Sequence, residues 1–556
     1  MTRYTSLSVT ILTLTTAVAL AQPPAKPPKQ GEIDNQQINV EKSRRIELPA
    51  ANRVFNKIPS VKQLAESRKL TYEFDDRQLT VADPKITPNV LPPNAANPDQ
   101  SPVYTNYVKI GAGNFNTFYG EGFGGTTVGE NLSVEGNVRH LSSGIGPVDG
   151  KNSATSDTKF GLTAKYGTQS LNVEAGADYR RETYRFYGYR PGTEVPDVEK
   201  IKQRLNIFAI RLGIENTDNE RVVDYSLKTN LTTLRDLYTA SETDWGTNFK
   251  GSLGISETIS ALVAADAYVT QRTDAGIVDN RNLFRVKPTF KYTSSFITAI
   301  VGLNAVNETD KRLGINRTRA FPVANIDIVP TGNIHFFAGV DGDISRNTLR
   351  SLLTENRWLA PQVVLANTIK GLDIYGGAKG EIGGGFTFEG KASYASYRNF
   401  YAFNNTWPDT TKFFVLYDGG RANVLTLSGQ VGYSLKDKFR SNLKVDVFRY
   451  DLDRLEAAWG RPRVAGTWSN AYILNKKLFI TADVYAYQGI EQKNFVTNTA
   501  YTLPVIVDAN VKIDYFLGKQ FAAFVSLNNI FGQNYQRYLY YPTQGLNFLA
   551  GISYSF

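Results

Sequence analysis

The sequence predicts an all-β fold: a transmembrane antiparallel β-barrel of about 22 strands, preceded by an extended Pro-rich N-terminal segment. Three observations predict it. From about residue 103 onward, apolar and polar residues alternate at period two over runs of about ten residues. Short polar turns and mostly longer connections take turns between those runs, the habit of an outer-membrane barrel. The chain also ends on an alternating strand, "GLNFLAGISYSF" (Gly545–Phe556), in which every second residue back from Phe556 is apolar.

The first element, residues 1–21, is an export signal. "MTRY" carries one positive charge, "SLSVTILTLTTAVALA" is apolar, and Ala19-Leu20-Ala21 before Gln22 is a small-x-small cleavage site. The second element, residues 22–102, holds 12 of the 23 prolines, one glycine (Gly31) and three aromatics (Phe55, Tyr72 and Phe74). Such a segment has too few apolar residues for a core of its own. It reads as a tether, a periplasmic docking strap for a protein partner, or a segment threaded into the lumen.

The third element, residues 103–556, carries 45 of the 46 glycines and nearly all the aromatics. "SLNVEAGADYR" sets Leu171, Val173, Ala175, Ala177 and Tyr179 against Asn172, Glu174, Gly176, Asp178 and Arg180. "VIVDANVKIDYF" sets Val507, Ala509, Val511, Ile513 and Tyr515 against Asp508, Asn510, Lys512 and Asp514. Full charges along one whole face suit a wet lumen and equally the wet face of a soluble sandwich, so turn spacing decides more than alternation. Ten short turns, among them "YGTQS", "EIGGG" and "LNKK", imply eleven outer connections and 22 strands if both termini lie on the periplasmic rim.

Composition narrows the chemistry. With 0 Cys, 1 Met and 2 His, there is no disulfide, thiolate metal site or multi-histidine centre. His140 falls at the outer rim of the third strand and His335 near the periplasmic rim of the thirteenth, too far apart to share a site. No nucleophile, base and orienting acid converge, so the chain reads as not an enzyme, with no cofactor. The net charge of +10 is scattered rather than gathered in a tract, which argues against nucleic acid as a partner.

Three motifs carry a resemblance. "YVKIGAGNFNTFYGEGFGG" is similar to the first barrel hairpin of TonB-dependent receptors, with its G-x-G-x-F-N-T turn. "VSLNNIFGQNYQ" is similar to their penultimate strand, and the terminal "GISYSF" to their last, with Ile552, Tyr554 and Phe556 in register. The resemblance covers residues 103–556 and implies residence in the bacterial outer membrane, lipid contact, and recognition of the final strand by the barrel-insertion machinery. It stops before Val103. Those receptors carry a Gly-rich folded plug there, so this chain resembles a plugless relative of the kind associated with Bacteroidota-type envelopes. "EKSRRIELPAANRV" is a poor match to a TonB-contacting box, and TonB dependence does not follow.

Two functional classes are therefore expected. One is a transporter or receptor for a solute, its lumen closed by the N-terminal segment or by a partner. The other is a non-transporting structural or assembly subunit of an outer-membrane complex. "RRETYRFYGYRPGTEVPD" supplies the candidate ligand-binding loop, with Arg180, Arg181, Arg185 and Tyr187. The lumen-facing polar candidates are Glu174, Asp178, Lys444, Asp446, Asp508, Asn510, Lys512 and Asp514. "ENRWLAPQ" (Glu355–Gln362) has no functional reading at this level.

Overall fold

Period-two alternation gives each strand one face for hydrocarbon and one for the lumen, and in the computed structural model the strands close on themselves. The structure describes residues 106–556 apart from 217–222, 406–408, 437 and 495–497. The export signal and the Pro-rich segment lie outside the described residues.

The barrel begins with β1 (Tyr107–Gly113), β2 (Thr117–Val128), β3 (Leu132–Ser143), β4 (Thr155–Gly167), β5 (Leu171–Arg185), β6 (Lys202–Asn216) and β7 (Val223–Arg235). It continues with β8 (Ser241–Gly254), β9 (Ile259–Asp274), β10 (Ile277–Thr293), β11 (Ile297–Asp310), β12 (Ile315–Thr331), β13 (Ile334–Ser345) and β14 (Thr368–Glu381). The last eight are β15 (Phe386–Arg398), β16 (Arg421–Leu435), β17 (Phe439–Asp451), β18 (Val464–Leu474), β19 (Leu478–Gln488), β20 (Ile506–Phe516), β21 (Phe521–Asn528) and β22 (Asn547–Ser555). These are the 22 expected strands. Each pairs antiparallel with its neighbours, and β1 closes on β22 from Tyr107↔Ser555 to Gly113↔Leu549.

The closing seam shows how the alternation is used. Val108, Ile110, Phe548, Ile552, Tyr554 and Phe556 are exposed on the outer face, whereas Lys109, Asn547 and Ser553 are buried on the inner one. The periplasmic turns are tight. In "LNKK" the central Asn475 and Lys476 both take positive φ, 51° and 55°, the twist-matched geometry of a short hairpin. Four outer connections are as short as turns, at 114–116, 236–240, 275–276 and 311–314, where the sequence had suggested mostly long ones.

One long connection departs from the wall. Register shifts fall between Asp341 and Asp343 on β13 and between Lys370 and Leu372 on β14. Paired bulges of this kind bend strands. Pairing of β12 with β13 stops at Ala324↔Val340 although β12 runs on toward Ile315. Beyond the bulge, Ile344 of β13 is buried against Leu283, Val306 and Phe321, which lie on the lumen faces of β10, β11 and β12. The strand end is thus laid over the inside of the barrel, and it carries residues 346–367 with it as a strap.

Candidate functional site

The strap is fastened around the inner wall, residue by residue. Asn304 of β11 donates to Gly342 O at 2.9 Å, and Arg285 of β10 bridges Asp266 (2.7 Å) and Asp343 (2.8 Å). Arg281 pairs with Asp310 at 3.0 Å and donates to Asn347 O. Arg346 bonds Asp244 of β8 and stacks over the Tyr268 ring, 4.1 Å from its centroid.

The strap then forms helix α1 (Leu349–Glu355). Thr348 and Ser351 cap each other reciprocally, which satisfies two of the orphan amides of the first turn. Glu242 of β8 takes two more: its carboxylate accepts from Leu349 N at 2.6 Å and Arg350 N at 3.0 Å. Negative charge at that end also suits the helix dipole. Past α1, Arg357 pairs with Glu182 of β5 (3.3 Å), and its carbonyl accepts from Tyr184 Oη at 2.5 Å. On the return, Arg272 of β9 donates to Val363 O at 2.6 Å and Asp274 accepts from Gln362 N at 2.7 Å. The strap therefore touches the inner wall from β12 round to β5.

At its tip Trp358 meets loops from other sectors of the barrel. Its ring lies 3.9 Å from that of Tyr541, between β21 and β22, and 5.9 Å from Tyr187, between β5 and β6. Phe413, between β15 and β16, stands 5.8 Å from Tyr541 and 5.3 Å from Tyr538. Phe413 and Tyr541 are completely buried. Strands 5, 13, 15 and 21 are spread around a 22-strand ring, so side chains from well-separated sectors share one aromatic centre. Such a core, assembled by outer loops, is built from edge-to-face and tilted rings.

Polar joints tie the remaining loops to it. The Glu355 carboxylate accepts from Tyr401 Oη at 2.6 Å and sits 3.6 Å from buried Arg461, whose Nε donates to Tyr401 O at 3.0 Å. Tyr538 Oη donates to Glu355 O at 2.9 Å. Asp418, fully buried, accepts from the backbone amides of Gly420 (2.8 Å), Asp453 (3.0 Å), Arg454 (3.0 Å) and Leu455 (3.2 Å). Burial pushes its carboxyl up, and those four amides more than reverse that, holding it below the usual carboxylate range.

The residues singled out from sequence are scattered by this arrangement. Arg180, Arg181 and Arg185 belong to β5 rather than to a loop. Arg180 faces inward on Asp157 (2.7 Å) and Glu182 (3.1 Å), Arg181 faces outward, and Arg185 donates to Ala154 O at 2.7 Å. Tyr187 lies inside the aromatic centre, out of reach of solvent. The structure therefore does not bring the four together. On the lumen side, Glu174 is exposed, Asp178 pairs with Arg211 (3.1 Å), and Lys444 pairs with Asp446 (2.9 Å). Asp514 holds Lys109 (3.0 Å) and Lys512 (2.9 Å), Asp508 accepts from Tyr535 Oη (2.6 Å), and Asn510 accepts from Asn529 N (3.0 Å). His140 meets Thr158 Oγ1 at 2.8 Å, and His335 meets Asp327 at 2.8 Å on another sector of the wall. Sequence reasoning missed Trp358 and the strap. The available signal was a Trp-Leu-Ala run inside a long connection.

No protein-family model and no curated protein sequence matches the chain. Solved structures do. The chain is similar to the FrpB iron transporter from Neisseria meningitidis, with a TM-score of 0.64, 12% identity and 81% of each chain covered. It is similar to the siderophore receptor PiuA from Acinetobacter baumannii (TM-score 0.61, 10% identity, covering 81% of this chain and 82% of that one). It is also similar to the ferric-catecholate import receptor Fiu from K12 E. coli (TM-score 0.62, 10% identity, 81% of each chain). At such identities the likeness is one of fold: a closed 22-strand antiparallel barrel.

Proposed function

We propose that the protein is a gated outer-membrane receptor or transporter for a solute, with no catalytic role, whose outer mouth is closed by its own loops. The observation that carries this reading is the strap with its aromatic tip, in which Trp358, Tyr187, Phe413 and Tyr541 come from four sectors of the ring. A 22-strand barrel is wide enough to need filling, and a lumen bridged by ion-paired side chains supplies a polar path beneath such a lid. Segment 22–102 is proposed to act at the periplasmic side, as an occupant of the lumen or as the docking element for a partner. The insertion machinery is proposed to read Ile552, Tyr554 and Phe556.

The test is current through single barrels in planar bilayers. A chain lacking 23–95 and carrying Trp358→Ala, Tyr538→Ala and Tyr541→Ala is expected to conduct steadily where the wild type is quiet. If that variant inserts and stays silent, while the wild type co-purifies with one protein at fixed ratio, the protein is an assembly subunit instead.

A further inference from the structure

On the lumen face Arg180, Arg211, Arg272, Arg281, Arg285 and Arg317 each meet a carboxylate. On the outer face several arginines do not, among them Arg398 and Arg421, cross-strand neighbours on β15 and β16, and three that stand together on β5–β7. In β5–β7 the register aligns Arg181 with Asn206 and Asn206 with Arg235, so these residues form one row across three strands on the outer face. Arg204 lies on the middle strand, two residues beyond Asn206 and on the same face, opposite Thr183. At a strand spacing of about 4.8 Å, Arg181 and Arg235 have backbones about 10 Å apart with Arg204 between them. Among the described residues, none of these three guanidinium groups has an ion-pair or hydrogen-bond partner, and Arg204 Nε is shielded from solvent without one.

Their height is set by the residues below. Toward the periplasm the same face carries Tyr179, Ala177, Ala175, Val173 and Leu171 on β5, Phe208, Ile210, Leu212 and Ile214 on β6, and Leu231 and Leu227 on β7. That is the hydrocarbon band. The arginines begin one or two outward positions past its outer edge, at the level of lipid headgroups in the outer leaflet. The neighbouring charges are already committed. Lys202 is paired with Glu199 at 2.8 Å, and Asp236 accepts from Gln203 Nε2 (3.1 Å) and Ala240 N (2.8 Å). No carboxylate shares the outer face of β5–β7 with the three arginines. Unpaired guanidinium groups beside hydrocarbon are costly, and their planar fork matches the oxygens of a phosphate.

We propose that Arg181, Arg204 and Arg235 form a binding site for the phosphate groups of a phosphorylated glycolipid of the outer leaflet. The chains of that lipid would lie on Phe208, Ile210, Leu212 and Tyr179 below.

The full-length barrel, purified in detergent, is to be mixed with diphosphoryl lipid A or with its dephosphorylated form, and bound lipid counted by native mass spectrometry. Wild type is expected to hold the diphosphoryl form and to release it slowly. The triple variant Arg181→Gln, Arg204→Gln, Arg235→Gln is expected to bind it roughly a hundredfold more weakly. The variant Arg398→Gln, Arg421→Gln, elsewhere on the rim, should bind like wild type. Equal retention of both lipid forms by wild type overturns the proposal whatever the variants do. Full retention by a triple variant that keeps heat-modifiable migration overturns it too. Competition by millimolar inorganic phosphate alone would assign the site to a free anion and reject the lipid.

Discussion

Gly188 sits where no side chain fits. A Cβ built there would stand 2.1 Å from Cε2 of Tyr541, whose ring is buried against Trp358 and Phe413. Its own carbonyl accepts from Thr410 Oγ1 at 3.0 Å, so the backbone is held as well. Gly188→Val must therefore displace Tyr541, and overpacking of this kind costs ~1–3 kcal/mol. The expected outcome is faster tryptic cleavage at Arg190 and Lys412 in the detergent-solubilised barrel, with heat-modifiable migration unchanged. At the other end of the chain, Phe556 stacks near Tyr554 at 5.8 Å on the lipid side, and its N–H and C=O pair with Asn106. Phe556→Ala removes an exposed ring but no strand pairing. It should lower the amount of barrel recovered in the outer membrane while leaving the thermal behaviour of inserted barrels alone. Unchanged recovery would count against a role for the last residue in insertion.

At the scale of elements, the outer loop assembly rests on two joints whose strengths can be read separately, one under the strap and one between the β15–β16 and β17–β18 loops. The α1 joint rests on Glu242, which accepts two backbone N–H bonds from a helix of only seven residues. Too short to persist alone, that helix loses its anchor in Glu242→Ala. The loss is ~2 kcal/mol for bonds to a charged group, or a roughly thirtyfold larger opened fraction, measurable as faster proteolysis within 346–367. The second joint is Asp418. Its carboxyl is held below the usual range, so its contribution is present above the ordinary carboxylate pKa near 3.9 and is lost as pH falls through the lower value in the folded protein. Amide exchange at residues 453–455, corrected for its intrinsic pH dependence, should stay slow from pH 8 to 5 and accelerate only below about pH 4. In Asp418→Asn it should be fast throughout.

These elements also mark what could be read in advance. The strands were countable because alternation has to hold wherever one face meets lipid and the other water, as in Leu171–Tyr179 and Val507–Tyr515. The strap was not. Beyond the bulge at Asp341 the inner face of the barrel, rather than lipid, becomes the surface that residues 342–367 must match, and no simple period survives. The candidate loop failed for a related reason. Its arginines keep strand periodicity to Arg185, so Arg180 points to the lumen face while Arg181 and Arg185 point to the other, and only Tyr187 reaches the loop core.

For the whole molecule, the proposed closure has two parts in series, and series barriers have a distinctive signature. The loops bridge the outer mouth through Trp358 and its partners. The segment before Asn106 joins the barrel at the opposite rim, where Asn106 pairs with Phe556. If each part can block the path alone, opening one changes current little, because the other still limits it. Deletion of 23–95 should therefore leave conductance near the wild-type level, and so should Trp358→Ala, Tyr538→Ala, Tyr541→Ala in the full chain. Combining them should raise it far beyond the sum of the two changes. The four barrels can be compared in one bilayer at one salt concentration. Salt should be held fixed because paired charges along the lumen, such as Lys444–Asp446, are screened over a Debye length of about 8 Å at physiological strength. Full conductance from the deletion alone would show that the loops are no seal, and full conductance from the alanine variant alone would show that the N-terminal segment is none.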